Sequence, residues 1–230
     1  MSPIRSFAVL PALDEEATVA DVVRGIAPHV AGVIVVDNGS RDATRVRAAE
    51  AGATVIEQKQ RGYGAACLVG IDAARALGAD VVVFLDADGS DDPEDAPKLL
   101  EGLRRGSFDL VLGIRTRATT EPDAMEPTQR FGNWFAPLAM RLVTGARYRD
   151  MPPFKAIRLD ALDRLALTDR TYGFTIELLL RAHAEGLRVS EIPVRCRARR
   201  GGTSKVSGTL RGTLGASYKI LTTIAKHARR

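Results

Sequence analysis

Cysteine is scarce: the 230 residues contain two, Cys67 and Cys196. Thiols so few and so far apart suggest neither a disulfide framework nor a zinc site, and free thiols suit a cytoplasmic chain. Long hydrophobic runs are missing too, with nothing near the ~20 continuous apolar residues that span a bilayer. The opening stretch MSPIRSFAVLPALDEE reaches acidic residues too soon for a secretory leader and has no cleavage-site pattern. No G-x-G-x-x-G follows the first apolar run, and no G-x-x-x-x-G-K-[ST] occurs, so dinucleotide and P-loop sites lose their main support. Low-complexity tracts are absent, which argues against disorder.

Acidic residues are absent beyond Glu191. Ile192 to Arg230 carries ten Lys or Arg, whereas the preceding body holds 23 basic and 28 acidic residues, a net of −5. A basic tail on a mildly acidic body suits an anionic partner: a phosphorylated substrate, a membrane surface or a nucleic acid. Aromatics, which would stack bases, number one in that tail, Tyr218, and this counts against nucleic acid.

What is present is a series of short apolar strands alternating with helical patterns. The strands are expected at Ser6–Leu10, Gly32–Val36, Ala53–Glu57, Val81–Leu85 and Asp109–Gly113. Helices are expected at Thr18–Ala27, Ala43–Ala51, Gly64–Ala76 and Pro93–Arg105. This alternation predicts one α/β domain around a mostly parallel sheet, with ligands bound beyond the carboxyl ends of the strands. Polar residues gather at those ends: Pro11-Ala12-Leu13-Asp14-Glu15, Asp37-Asn38-Gly39-Ser40, Asp86 and Asp88, then Arg115 and Arg117.

The stretch VVVFLDADGSDDPED, Val81 to Asp95, is the centre of this pattern. A buried strand delivers Asp86 and Asp88 to its mouth, where two carboxylates repel unless a cation lies between them. A divalent ion such as Mg²⁺, held by one or two carboxylates and substrate phosphates, answers that need. Asp92-Pro93 then reads as the cap and first position of a helix. Gln60 to Ala66, with Arg61 and Gly64, reads either as a phosphate-approaching loop or as a plain helix entry.

Beyond Gly113 the alternation stops. Thr116–Thr128 reads as a mobile loop, and Arg130–Thr144 as an amphipathic helix with Pro137 inside it and Trp134 and Phe135 directed to the core. Asp150 to Lys155 reads as a stiff loop. Glu177 falls in the first turn of a helix over Thr175–Glu185, as dipole compensation or as a carboxylate facing the site. Val189–Arg197 reads as an edge strand because of Pro193, and RRGGTSK, Arg199 to Lys205, as a cationic oxyanion-binding loop. A terminal helix follows, with three placements open: on the body, between subunits of a homodimer, or on a membrane.

Taken together, VLPALDEEATV, VVDNGSRDAT, FLDADGSDDPED, GFTIELLLRAHAEGLRVSEIPV and RRGGTSK resemble glycosyltransferase family 2, in its branch of dolichyl- or polyprenyl-phosphate sugar synthases. The resemblance spans nearly the whole chain. It departs at Asp14 (Asn is usual), at Asn38 (Asp is usual), and at Ser90-Asp91, where many relatives carry Gln. It implies a GT-A fold over residues 1–206, with 207–230 as a basic helical extension. It also implies a nucleotide-sugar donor, UDP- or GDP-linked, and a divalent cation, Mg²⁺ or Mn²⁺. By resemblance Pro11, Leu13, Glu15, Asp37, Asp86 and Ala87 contact the donor, joined by Arg61 and Gly64 where the Gln60–Ala66 loop is read as approaching a phosphate, and Asp86 and Asp88 contact the metal. Asp88, Arg115 and Glu177 serve catalysis, and Arg115, Arg200, Ser204 and Lys205 hold an acceptor phosphate. The expected reaction is inverting transfer to a lipid phosphate at the cytoplasmic face of a membrane. Two other readings stand beside it: a soluble hydroxyl or phosphorylated acceptor, for which Glu177 would be the base if a hydroxyl reacts, and a non-catalytic nucleotide- or nucleic-acid-binding protein.

Overall fold

The computed structural model describes residues 4–104, 107–122, 124–125, 127–198 and 222–224. Seven strands form one sheet: β1 (Ser6–Ala12), β2 (Gly32–Asp37), β3 (Thr54–Glu57), β4 (Val81–Phe84), β5 (Leu110–Ile114), β6 (Lys155–Arg158) and β7 (Val189–Pro193). Their order is β3-β2-β1-β4-β6-β5-β7. Only β6 runs antiparallel, and it does so against both its neighbours.

The interiors of β1, β2 and β4 are continuously apolar because both faces are covered. Successive side chains alternate between those faces. Phe7, Val9, Ile34, Val36, Val82 and Phe84 enter one core, and Ala8, Leu10, Val33, Val35, Val81 and Val83 the other. The second core is closed by α1 (Val19–Ile26), α2 (Thr44–Glu50) and α4 (Ala96–Arg104). The first is closed by α3 (Tyr63–Ala76), α5 (Pro127–Thr144), α6 (Leu159–Leu165) and α7 (Phe174–Ala184). Gly70 lets α3 lie close on the sheet, since a Cβ there would meet Val9 Cγ1 at 2.2 Å.

Several expectations are corrected. The stretch ending at Lys155 was expected to be loop, but Lys155 itself opens β6, a four-residue strand too short to show a period. Its insertion means that β5 does not adjoin β4. The first part of the segment expected to be a mobile loop is tied to residue 196: Cys196 N donates to Thr119 O at 2.8 Å and Glu121 N to Cys196 O at 2.8 Å. Trp134 is 62% exposed, not buried, and Phe135 is half-buried. The edge strand is confirmed at β7, ending at Pro193 as a residue without an N–H allows. Of the terminal helix, only Thr222–Ile224 lies within the described residues, and Ile224 is buried in the first core.

Candidate active site

A cleft of about 470 Å³ opens at the carboxyl ends of β1, β2 and β4. Pro11, Leu13, Glu15, Asn38, Arg61, Gly62, Tyr63, Asp86, Ala87, Asp88 and Tyr172 are among its lining residues.

The shelf after β1 is fixed by the loop after β2. Asp14 takes a left-handed backbone (φ 50°), which Asp and Asn tolerate better than most side chains. Asp14 N donates to Ser40 Oγ at 2.9 Å, Arg41 N to Asp14 Oδ1 at 2.8 Å, and Glu15 N to Thr44 Oγ1 at 2.8 Å. Asp37, expected to contact the donor, is fully buried and does not line the cleft. Its carboxylate accepts Ser40 N at 3.3 Å and lies 3.8 Å from Arg45 Nε. The neighbouring Asn38 lines the cleft instead. Its Oδ1 accepts Gly62 N at 2.7 Å while its Nδ2 donates to Gln60 O at 3.0 Å, a double role that an ionised Asp lacks.

The third wall joins the start of α3 to the loop over residues 168–173. Gly64 makes a close approach, but to the chain's own backbone: a Cβ there would meet Asp169 O at 2.1 Å. Gly64 N donates to Thr171 O at 3.1 Å and Ala65 N to Arg170 O at 3.0 Å, so these amides are occupied and do not form a phosphate cradle. Glu177 supports the same loop. It accepts Thr168 N at 2.9 Å, Thr168 Oγ1 at 3.0 Å, Asp169 N at 2.7 Å and Arg181 Nε at 3.1 Å. Burial opposes ionisation, but the Asp169 and Thr168 donors outweigh it and hold its carboxyl below the usual range. Glu177 is therefore placed as a brace and does not line the cleft.

At the floor, Thr18 Oγ1 donates to Ala87 O at 2.8 Å and Ser90 N to Asp88 Oδ1 at 2.9 Å. Behind lies Asp91, 3% exposed, whose Oδ2 has no hydrogen-bond partner. Burial first, then the charges of Asp86 and Asp88, push its carboxyl up to about 8. Lys155 is fully buried, with Nζ donating to Pro152 O at 2.9 Å and Pro153 O at 3.0 Å. Burial brings its ammonium down to about 8 against the pull of Cys67, Asp86 and Asp91. Sequence reasoning missed Lys155, because a lysine in a four-residue strand carries no signal of burial. Among the described residues no three His, Cys, Asp or Glu side chains converge as a metal cage. Asp86 and Asp88, beside a buried carboxylate with one oxygen lacking a hydrogen-bond partner, fit a cation that takes two protein oxygens and completes its shell from phosphate and water.

Arg115 was expected to reach an acceptor phosphate. Its guanidinium is instead forked onto Asp150, Nε to Oδ2 at 2.8 Å and Nη2 to Oδ1 at 2.7 Å. Residues 195–197 strap the floor loop: Arg197 N donates to Ser90 O at 2.7 Å, and the Asp92 carboxylate takes Arg195 Nε at 2.9 Å and Arg197 Nη2 at 2.6 Å. Ala198 N donates to Glu121 Oε2 at 2.9 Å. Arg200, Ser204 and Lys205 lie outside the described residues.

The family model for glycosyl transferase family 2 matches residues 7–166. An uncharacterised glycosyltransferase of Mycobacterium tuberculosis is 39% identical over 209 residues, 90% of this chain and 91% of that one. An undecaprenyl-phosphate mannosyltransferase of Micrococcus luteus is 33% identical over 190 residues, 78% of this chain and 77% of that one. Among solved structures, M. tuberculosis glucosyl-3-phosphoglycerate synthase superposes with a TM-score of 0.74 at 25% identity, covering 99% of this chain and 81% of that one. The sheet is the GT-A fold that the resemblance implies, and the chain belongs to glycosyl transferase family 2.

Proposed function

We propose that the protein transfers a sugar from a UDP- or GDP-sugar to the phosphate of a polyprenyl-type lipid, with inversion at the anomeric carbon. The observation that carries this reading is the convergence of Asp86 and Asp88 with the Pro11–Glu15 shelf and Arg61 in one cleft. The shelf and Asn38 offer the base and ribose a wall of fixed polar groups, and Arg61 offers the diphosphate a positive charge. A divalent cation bound at Asp86 and Asp88 would offset the charge that develops on the departing diphosphate. An acceptor phosphate oxygen attacks the anomeric carbon, the bond from that carbon to the diphosphate oxygen breaks, and the electron pair leaves with the nucleoside diphosphate. An ionised phosphate needs no general base. That agrees with Glu177 being engaged by loop amides and Arg181.

The mannosyltransferase relative supports a lipid acceptor. The glucosyl-3-phosphoglycerate synthase likeness favours a second reading, a soluble phosphorylated acid. Labelled UDP- and GDP-sugars with Mn²⁺, offered undecaprenyl phosphate in detergent or 3-phosphoglycerate in water, separate the two. Label in the lipid phase is expected. Label only in phosphoglycerate overturns the lipid acceptor, and failure to bind any nucleotide sugar overturns the transfer itself.

A further inference from the structure

We propose that α5 is the surface by which this protein lies on an anionic lipid bilayer. At about 100° per residue, Phe131, Trp134, Phe135, Leu138 and Leu142 fall within roughly 100° of arc on one helix face. Ala136 and Met140, on the opposite side, are fully buried. The outward face is open: Phe131 is 59% exposed, Trp134 62% and Leu142 77%. Phe131 stacks on Phe135 with centroids 5.7 Å apart and lies 6.0 Å from Trp134, so the aromatic side chains form one patch rather than scattered residues. A contiguous apolar patch of this kind marks an interaction surface.

Charge selects the occupant. Between Pro127 and Arg149 there are four arginines, Arg130, Arg141, Arg147 and Arg149, and no Asp or Glu. Arg130 and Arg141 flank the patch on the Trp134 side of the helix. A second copy meeting this face by two-fold symmetry would set these arginines against themselves with no acid in the segment to answer them. Anionic head groups do answer them, while Trp, Phe and Leu enter the head-group and acyl boundary as an interfacial helix requires. Among the described residues no helix is long and apolar enough to cross a membrane, and an interfacial helix needs no span. The described turn of the terminal helix offers no such surface, since Thr223 and Ile224 are buried.

Trp134 is the chain's one tryptophan, which places a fluorescent reporter within the patch, on its arginine-flanked side. Full-length protein is mixed with vesicles of phosphatidylcholine alone, or of phosphatidylcholine with phosphatidylglycerol, and no polyprenyl phosphate. Success or failure here is therefore separate from transfer. Anionic vesicles should co-sediment the protein, shift Trp134 emission to shorter wavelength and permit quenching by brominated acyl chains. Leu138→Glu, on an outward face, should keep the circular dichroism spectrum and weaken vesicle binding about tenfold or more. The proposal is overturned by an emission spectrum indifferent to anionic vesicles or by equal binding to neutral ones. Vesicle binding unaffected by Leu138→Glu would also overturn it. So would a lipid-free, concentration-dependent shift accompanied by dimer in sedimentation equilibrium, which would assign the face to a second copy.

Discussion

Replacing Asp150 by Asn tests whether the Arg115 fork holds the far side of the site together. Asp150 is 4% exposed and accepts Arg115 N at 3.0 Å, Arg115 Nε at 2.8 Å, Arg115 Nη2 at 2.7 Å and Met151 N at 2.7 Å. Burial works against its charge, yet the Arg115 bonds outweigh it and hold the carboxyl below its ordinary value. An Asn keeps the shape but leaves the buried Arg115 cation without its anion. Removing one member of a buried pair costs about 3–5 kcal/mol, a large part of the 5–15 kcal/mol that folds a typical domain. With a urea slope of about 3 kcal/mol/M, the midpoint should fall by roughly 1–2 M. The pair also predicts an acid limb. Because the folded carboxyl titrates below the unfolded one, its contribution is present above about pH 4 and lost as pH falls through the folded value. Asp150→Asn should flatten that limb, and Arg115→Met with Asp150→Leu should recover much of the loss. A midpoint shift under about 0.3 M, or an unchanged acid limb, would refute the reasoning.

Asp88→Asn keeps the acceptor for Ser90 N and removes charge, so the fold should survive while UDP with Mn²⁺ no longer stabilises the protein. In the parent, ligand at 100 times its dissociation constant adds about 2.7 kcal/mol, and an equal thermal shift in the variant would exclude Asp88 from the metal. Gly64→Ala drives a Cβ against Asp169 O and should cost about 1–3 kcal/mol. It should also weaken nucleotide binding by displacing Tyr172, as titration calorimetry would show; unchanged affinity would detach that loop from the cleft. Lys155, lowered by burial to about 8, holds fewer protons folded than unfolded between that value and its ordinary one. In chelator, the stability of the parent relative to Lys155→Met should accordingly rise with pH through that window, a comparison in which the opposing titrations of buried thiols such as Cys67 and Cys196 cancel; a difference that does not change with pH would locate the titration elsewhere.

The α/β alternation, the carboxyl-end location of the site and the edge position of β7 were legible in the sequence, because burial on both sheet faces and a proline in a strand leave local marks. Asp86 and Asp88 were legible for the same reason: a strand ending in two carboxylates is an electrostatic anomaly visible without coordinates. Pro11, Leu13 and Glu15 came through resemblance and Arg61 from the glycine-flanked loop that carries it, and the structure places all four at the cleft. The tertiary structure alone decided what each polar group near the site faces. Asp37 turns inward while Asn38 lines the cleft, Gly64 approaches a loop a hundred residues away in sequence, Glu177 braces that same loop, and Arg115 is claimed by Asp150. Local pattern records whether a side chain prefers burial or water. A charged partner distant in the chain, or the antiparallel β6 inserted between β4 and β5, follows from how the whole sheet closes, and no single stretch of sequence contains that.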